Sequence, residues 1–288
     1  MKFNNSRIII CSIVRNAATR LKQNIPVIKE VCSHFDDYKV FVYENDSVDD
    51  TKKVLNNWMM SDKDHVFVSL NTNNTESTIP PSKDVKANPF YSRQRIEKMV
   101  DLRNQYMNFI RTQSWVADYM IVVDLDVAKI SADGVLSCFR SELEWDAVTA
   151  NGYSLGPNLR RRYHDTYALT PYGEENYLQT EDKIKSLASE LGRLKPDSDW
   201  VRVFSAFGGL AIYRFEAVKG LCYQLIKNND ERVEVKCEHY SIFKQMKECG
   251  YDRVYINPKM EIKYQSVTIS IIINHLQRKL ERIVHKRI

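Results

Sequence analysis

The sequence has no C-x-x-C pair. Its cysteines, Cys11, Cys32, Cys138, Cys222, Cys237 and Cys249, stand far apart and mostly within or beside apolar runs. That excludes the common zinc and dithiol motifs and suits small hydrophobes in a reducing, cytoplasmic compartment. Glycine and proline are scarce, 9 and 8 in 288 residues, which argues against a linker-rich or many-turned all-β chain. No apolar run approaches the roughly 18 residues of a spanning helix. The N-terminal stretch Ile8–Val14 is short and ends in Arg15-Asn16, as a strand does rather than a signal peptide. Internal repeats and low-complexity tracts are missing as well. So is a basic face: the net charge is +5, and nearly all of the excess comes from Arg278, Lys279, Arg282, Lys286 and Arg287, set against Glu281. A nucleic-acid binder spreads its basic residues over a groove-sized surface, so no nucleic acid partner is expected.

What is present is an ordinary globular balance, 43% apolar and 27% charged, with 16 tyrosines. Tyrosine packs one face and hydrogen-bonds at its tip, a combination that suits polar, ring-shaped ligands such as sugars. Along the first half, apolar strand runs alternate with helical spacing: strands over Arg7–Val14, Tyr38–Tyr43 and His65–Leu70, helices over Ala18–His34 and Thr51–Met60. That order predicts right-handed βαβ units around a parallel sheet. A polar loop with three prolines, Asn71–Phe90, is expected to act as a mobile lid. A long helix follows over Ser92–Gln113, then an apolar strand over Tyr119–Val123. Shorter strands are expected over Asp146–Ala150, Val201–Phe204 and Leu210–Tyr213, and helices over Glu181–Leu194 and Cys237–Glu248.

Two segments carry chemistry. The strand Met120–Val123 runs into Asp124-Leu125-Asp126. Residues two apart in an extended chain point the same way, so both carboxylates leave the carboxyl end of a buried strand, where open α/β sheets bind ligands. Paired carboxylates there suit a hard divalent cation that also holds phosphate oxygens. The second segment is the acidic turn Glu44-Asn45-Asp46-Ser47-Val48-Asp49 after the second strand. Its short acceptors suit a nucleobase edge or ribose, while Ser47 or Asp49 is expected to cap the following helix.

These pieces, in this order, resemble the nucleotide-sugar glycosyltransferases of the GT-A fold, a Rossmann-like, mostly parallel α/β sheet flanked by helices. The matching stretches are Ser12–Asn16, Tyr43–Ser47, Arg95–Asn104 and Val123–Asp126. Tyr163–Ala168 and Phe204–Tyr213 add a likeness to the fungal capsule-associated α-1,3-mannosyltransferase family. The resemblance covers roughly 7 to 260. It implies transfer of a sugar, mannose in the closer likeness, from a GDP- or UDP-linked donor to a glycan or lipid-linked acceptor, with Mn2+ or Mg2+ as cofactor. By the same resemblance Arg15, Asn16, Glu44, Asp46, Arg95, Arg103 and Asp124 bind the donor, with Asp124 nearer the ribose and Asp126 holding the metal directly. Related enzymes often add a histidine ligand near the C-terminal end of the catalytic region. Asn257–Tyr264 contains none, and neither His239 nor His275 is assigned.

Trp200 and Phe207 are expected to stack on the acceptor sugar, with Gly208 and Gly209 bringing backbone close to it. Glu238, at the start of a helix whose dipole favours an ionised carboxylate, is the leading general base if configuration inverts, and Asp165 the second. If configuration is retained, a leaving-group phosphate oxygen takes the acceptor proton. Arg160-Arg161-Arg162 offers one or two further cations for the diphosphate. The rival readings are a sugar-phosphate nucleotidyltransferase, disfavoured because no glycine follows the first strand, and a non-catalytic scaffold that binds nucleotide-sugars. Residues 1–266 are expected to form the transferase domain. Residues 267–288 are expected to form a basic amphipathic helix, its stripe Ile269, Ile273, Leu276, Leu280 and Ile283 facing an anionic membrane surface or a second copy of the chain.

Overall fold

Strand β1 (Phe3–Val14) shows why a continuous apolar run reads as a central strand. Ile8 and Ile10 enter one hydrophobic core, while Ile9 and Cys11 enter the other, on the opposite face of the sheet. Both faces are covered, so alternation disappears. The computed structural model describes residues 3–71, 88–156 and 159–265. Most of the expected lid, and the whole segment 267–288 with His275, lie outside the described residues.

Helix α1 (Ala18–Cys32), β2 (Phe35–Glu44), α2 (Thr51–Ser61) and β3 (Val66–Leu70) complete two parallel crossovers. α1 continues through Pro26, whose ring removes one helical donor without ending the helix. Helix α3 (Arg93–Gln113) starts at Ser92, whose hydroxyl accepts from the Arg95 N–H, and leads to β4 (Tyr119–Val123), which lies parallel to β1. The next elements are β5 (Lys129–Ile130), α4 (Ala132–Cys138), β6 (Ala147–Leu155), β7 (Arg161–Tyr163), β8 (Thr170–Pro171) and α5 (Glu181–Glu190). The chain then forms β9 (Val201–Ser205), β10 (Leu210–Arg214), α6 (Phe215–Val218), α7 (Glu238–Glu248) and β11 (Val254–Lys263).

The strands share one sheet in the order β3-β2-β1-β4-β10-β6-β11-β9-β8. Its first four strands are parallel, and β10 enters antiparallel between β4 and β6. β6 and β11 are parallel to each other, and both therefore end on the same edge as β1, β2 and β4. α1, α2 and α4 cover one face, with α3 and α7 on the other. Several of these elements are not legible as sequence runs. β11 contains Pro258, and its register against β6 shifts between Asn257 and Glu261, the place where a strand tolerates a residue without an N–H. The helix expected to reach Leu194 ends at Glu190 and passes into a 3-10 turn, Leu191–Arg193. No helix of the described residues is long and apolar enough to cross a membrane.

Candidate active site

A cleft of about 450 Å³ opens where β1, β2, β4 and β11 end. Its floor holds Asp124 and Asp126 after β4, Arg15 after β1, Asn45 after β2 and Tyr264 after β11. α3 contributes one face, Arg95, Met99, Leu102 and Arg103, residues that recur at helical spacing. Opposite stand Phe207, just before β10, the segment His164–Tyr167, and Cys237, Glu238 and His239 at the start of α7. Eight of the residues proposed from sequence therefore meet in one place across a wide span of chain: Arg15, Arg95, Arg103, Asp124, Asp126, Asp165, Phe207 and Glu238.

Arg103 and Glu238 form a buried ion pair, Nε donating to Oε1 at 2.8 Å. The guanidinium also lies 3.8 Å from Asp124 Oδ1 and 4.9 Å from the centre of the Phe207 ring. Burial alone would raise the Glu238 carboxyl, but the charge and hydrogen bond of Arg103 override it and hold Glu238 down at about 2. The direction agrees with the expectation from the helix start, although its cause is chiefly the arginine. His239 is buried, stacked on Phe207 at 3.8 Å, and kept well below its usual range by burial and by Arg103. It enters the cleft wall as a neutral imidazole.

The floor behaves oppositely. Burial pushes Asp124 up against the lowering charge of the nearby Arg103, and the like charges of Asp126, Asp165 and Glu238 add to the rise. Asp126 is the exposed member, yet the cleft walls that crowd its carboxyl raise it too. Asp165, whose Oδ2 accepts from the Gly208 N–H at 3.3 Å, is raised to about 6 by burial and by Glu238. Asp124, pushed up by burial and by the charges of Asp126 and Asp165, marks a place where a divalent cation would relieve repulsion. Their oxygens are the hard donors that Mn2+ or Mg2+ prefers. Among the described residues no group of three or more His, Cys, Asp and Glu side chains stands ready as a ligand set. Asp124 and Asp126 thus fit a cation that keeps waters and takes further ligands from a substrate phosphate.

The acidic turn distributes its side chains differently from the expectation. Ser47 Oγ accepts from the Asn16 N–H at 2.9 Å, Thr51 Oγ1 from Ala17 at 2.7 Å, and Asp49 Oδ2 from Ala18 at 3.1 Å. They close the start of α1, the preceding helix; Asp49 also serves the following one, its Oδ1 accepting from the Thr51 N–H at 3.0 Å at the start of α2, whose N-cap residue Asp50 makes no side-chain bond. Glu44 is fully buried, accepts from the Ser47 N–H and has Lys52 Nζ at 3.9 Å. Asn16 and Asp46 take left-handed backbone conformations, φ of 50° and 53°, which Asn and Asp tolerate better than most residues. Among the described residues these three, with Trp200, Gly208 and Gly209, lie off the cleft lining. Trp200 packs near Tyr255 on the sheet. Gly208 and Gly209 have φ of 63° and 89°, and a Cβ on Gly208 would sit 2.2 Å from the Ala150 carbonyl. The close approach at Gly208 is to strand β6. Arg161 is paired with Glu261 and stacked over Tyr153 at 3.9 Å, and none of the three consecutive arginines lines the cleft.

With this geometry in place, comparison with known proteins is informative. The profile of the family described as "Cryptococcal mannosyltransferase 1" matches residues 7–245. The chain belongs to that family. Among solved structures, the mannosyltransferase PcManGT of Pyrobaculum calidifontis, in complex with GDP-Man and Mn2+, is 12% identical with a TM-score of 0.50. The alignment covers 97% of this chain and 65% of that one, so this chain spans just under two thirds of its length. S. aureus TarS in complex with UDP-GlcNAc is 10% identical at a TM-score of 0.46, covering 91% and 60% of the two chains. No curated protein matches the sequence. The fold is GT-A, as the ordered motifs implied.

This mannosyltransferase-family cleft also contains residues not proposed from sequence. Asn45 lines it where its neighbours Glu44 and Asp46 do not. Tyr91 and Tyr167 pack at 4.7 Å to form an aromatic wall, and His164 stacks on Tyr264 at 3.8 Å. Burial, with Asp165, Asp124 and Asp126 close by, keeps the Tyr264 hydroxyl protonated. The high tyrosine content was the available signal, but it names no position.

Proposed function

We propose that the protein is a metal-dependent glycosyltransferase that moves a hexose, mannose by family, from a GDP- or UDP-linked donor to a hydroxyl of a glycan or lipid-linked acceptor. The observation that carries this reading is the gathering of Asp124, Asp126 and Asp165 beside the Arg103–Glu238 pair at the carboxyl edge of the parallel half-sheet. Asp126 and Asp124 would hold Mn2+ or Mg2+, and a cation bound there supplies charge to the departing diphosphate. Arg15 and Arg95 line the same cleft and match the donor's phosphates, whose geometry suits a guanidinium. Asn45 at the end of β2 would meet the nucleoside, and the Tyr91–Tyr167 wall a sugar face.

The two carboxylates proposed for the acceptor take different roles. Glu238 is committed to Arg103 and orients it across the cleft. Asp165, fixed by the Gly208 N–H, is the carboxylate placed to accept a proton from an acceptor hydroxyl if the transfer inverts. The nucleotidyltransferase alternative is weakened further by the closure of the α1 start with side chains, which leaves no open phosphate loop there. The test is donor consumption, with GDP-mannose and UDP-linked sugars, in the presence of Mn2+ and then of EDTA. Release of nucleoside diphosphate that needs the metal and vanishes in Asp126→Ala supports the reading. Consumption indifferent to both counts against it.

A further inference from the structure

Asn24 lies within α1 and is 2% exposed, at a depth where its helix neighbours Leu21, Ile25 and Ile28 are apolar. A buried carboxamide in a helix interior must find partners for both of its hydrogens. Those partners are the backbone carbonyls of Leu125 and Val127, each accepting at 2.9 Å. The two carbonyls flank Asp126. The side chains of Leu125 and Val127 are themselves buried in the core that α1 covers. The segment after β4 is tied at its ends by backbone bonds, Asp124 N–H to Gly209 at 2.9 Å and Ala128 N–H to Lys263 at 2.8 Å. Between those ties Asn24 holds from beneath the peptide group that precedes the exposed Asp126 and the one that follows Val127. No charge is introduced in doing so, which matters beside carboxylates that already repel.

We propose that Asn24 is a positioning residue that sets the direction of the Asp126 carboxylate for a divalent cation, an inference that rests on the metal reading given above. Loss of an interaction that orients a metal-bearing side chain weakens metal affinity by about ten-fold or more. The experiment uses the full chain with GDP and measures the Mn2+ dissociation constant from the electron paramagnetic resonance signal of free Mn2+. Thermal midpoints are recorded alongside. Asn24→Asp keeps the shape and removes both donors, and Asn24→Ala removes them without adding charge. Both are expected to bind Mn2+ about ten-fold or more weakly. Asn24→Ala combined with Asp126→Asn is expected to bind no more weakly than Asp126→Asn alone. If either Asn24 variant keeps wild-type Mn2+ affinity while its midpoint falls, the residue is merely structural and the inference is overturned. Additive losses in the combined variant overturn it as well. Wild-type protein that takes up no Mn2+ defeats this inference together with the metal reading. Wild type that binds Mn2+, and loses it in Asp126→Asn, while the Asn24 variants bind normally, defeats this inference alone.

Discussion

Glu238 and Asp165 face the same cleft as carboxylates, and they sit on opposite sides of the usual range. Glu238 has an arginine Nε at 2.8 Å and is held at about 2. Asp165 has a backbone N–H at 3.3 Å and like charges around it, and stands at about 6. Burial acts upward on both, so the difference comes from the partner. A buried carboxylate with its own counter-charge is a fixed part of the wall. One without a counter-charge is available to a proton or a cation. The site thus divides into a settled pair, Arg103 and Glu238, and an unsettled pair, Asp126 and Asp165, with Asp124 between them, 3.8 Å from the same guanidinium.

The strongest way to break this contrast is Arg103→Leu. It leaves Glu238 buried without its counter-charge, and a cost of about 3–5 kcal/mol is expected, read as a fall in urea midpoint at neutral pH. A loss below about 1 kcal/mol would show that the pair is solvated rather than structural. Glu238 has a folded value below its unfolded one, so its contribution is complete above the unfolded range. It is lost as pH falls toward 2. Asp126→Ala strikes the unsettled side. Metal-dependent transfer should fall on the order of 100-fold or more, equivalent to about 2.7 kcal/mol of barrier. Because Asp126 is exposed, stability should move by no more than about 0.5 kcal/mol. Product assays and thermal melts on one preparation separate the two effects.

Asp165→Asn sharpens the contrast through pH. The folded carboxyl titrates near 6, above its unfolded value, so ionisation costs stability as pH rises through that window. In metal-free protein the variant should be more stable than wild type by on the order of 2 kcal/mol at pH 7 and indistinguishable near pH 4. An equal difference at both pH values would show that the effect is packing rather than charge. The smallest effect is expected where no charge is at stake. Ser47→Ala removes one neutral cap from α1 and should cost about 1 kcal/mol in chemical denaturation, with no dependence on pH between 4 and 7.

The first half of the fold was legible because its strands bury both faces and its helices keep their spacing. Ile8–Cys11 and Met120–Val123 each feed two cores at once, and a continuous apolar run has few other uses. Elements of two or three residues, β5, β7 and β8, are too short to carry a period. β11 was hidden by Pro258, which a bulge accommodates. In the site, Asp124, Asp126, Arg103 and Glu238 were legible from their places at element ends or on the cleft-facing side of α3. Of the acidic turn Asn45 lines the cleft, while Glu44 and Asp46, the residues expected there, do not. Left-handed backbone at Asp46 rotates consecutive side chains to different sides, which composition cannot register. Trp200 shows the converse, an aromatic residue of the right type that the strand after it carries to the sheet instead. Asn24 gave no signal, since its partners are backbone carbonyls and backbone carries no sequence label.

The closed start of α1 has a consequence for how a nucleotide-sugar donor, if the proposed function holds, would be attracted. In many nucleotide-binding folds a helix end offers its free N–H groups to phosphate. Here Ser47, Asp49 and Thr51 already occupy the N–H groups of Asn16, Ala17 and Ala18. A bound diphosphate would then rely on the side chains of Arg15 and Arg95, which line the cleft. Attraction of that kind is screened by dissolved ions over a Debye length of about 10 Å at 0.1 M. Donor capture should therefore weaken steadily with ionic strength, with KM rising while turnover at saturation holds.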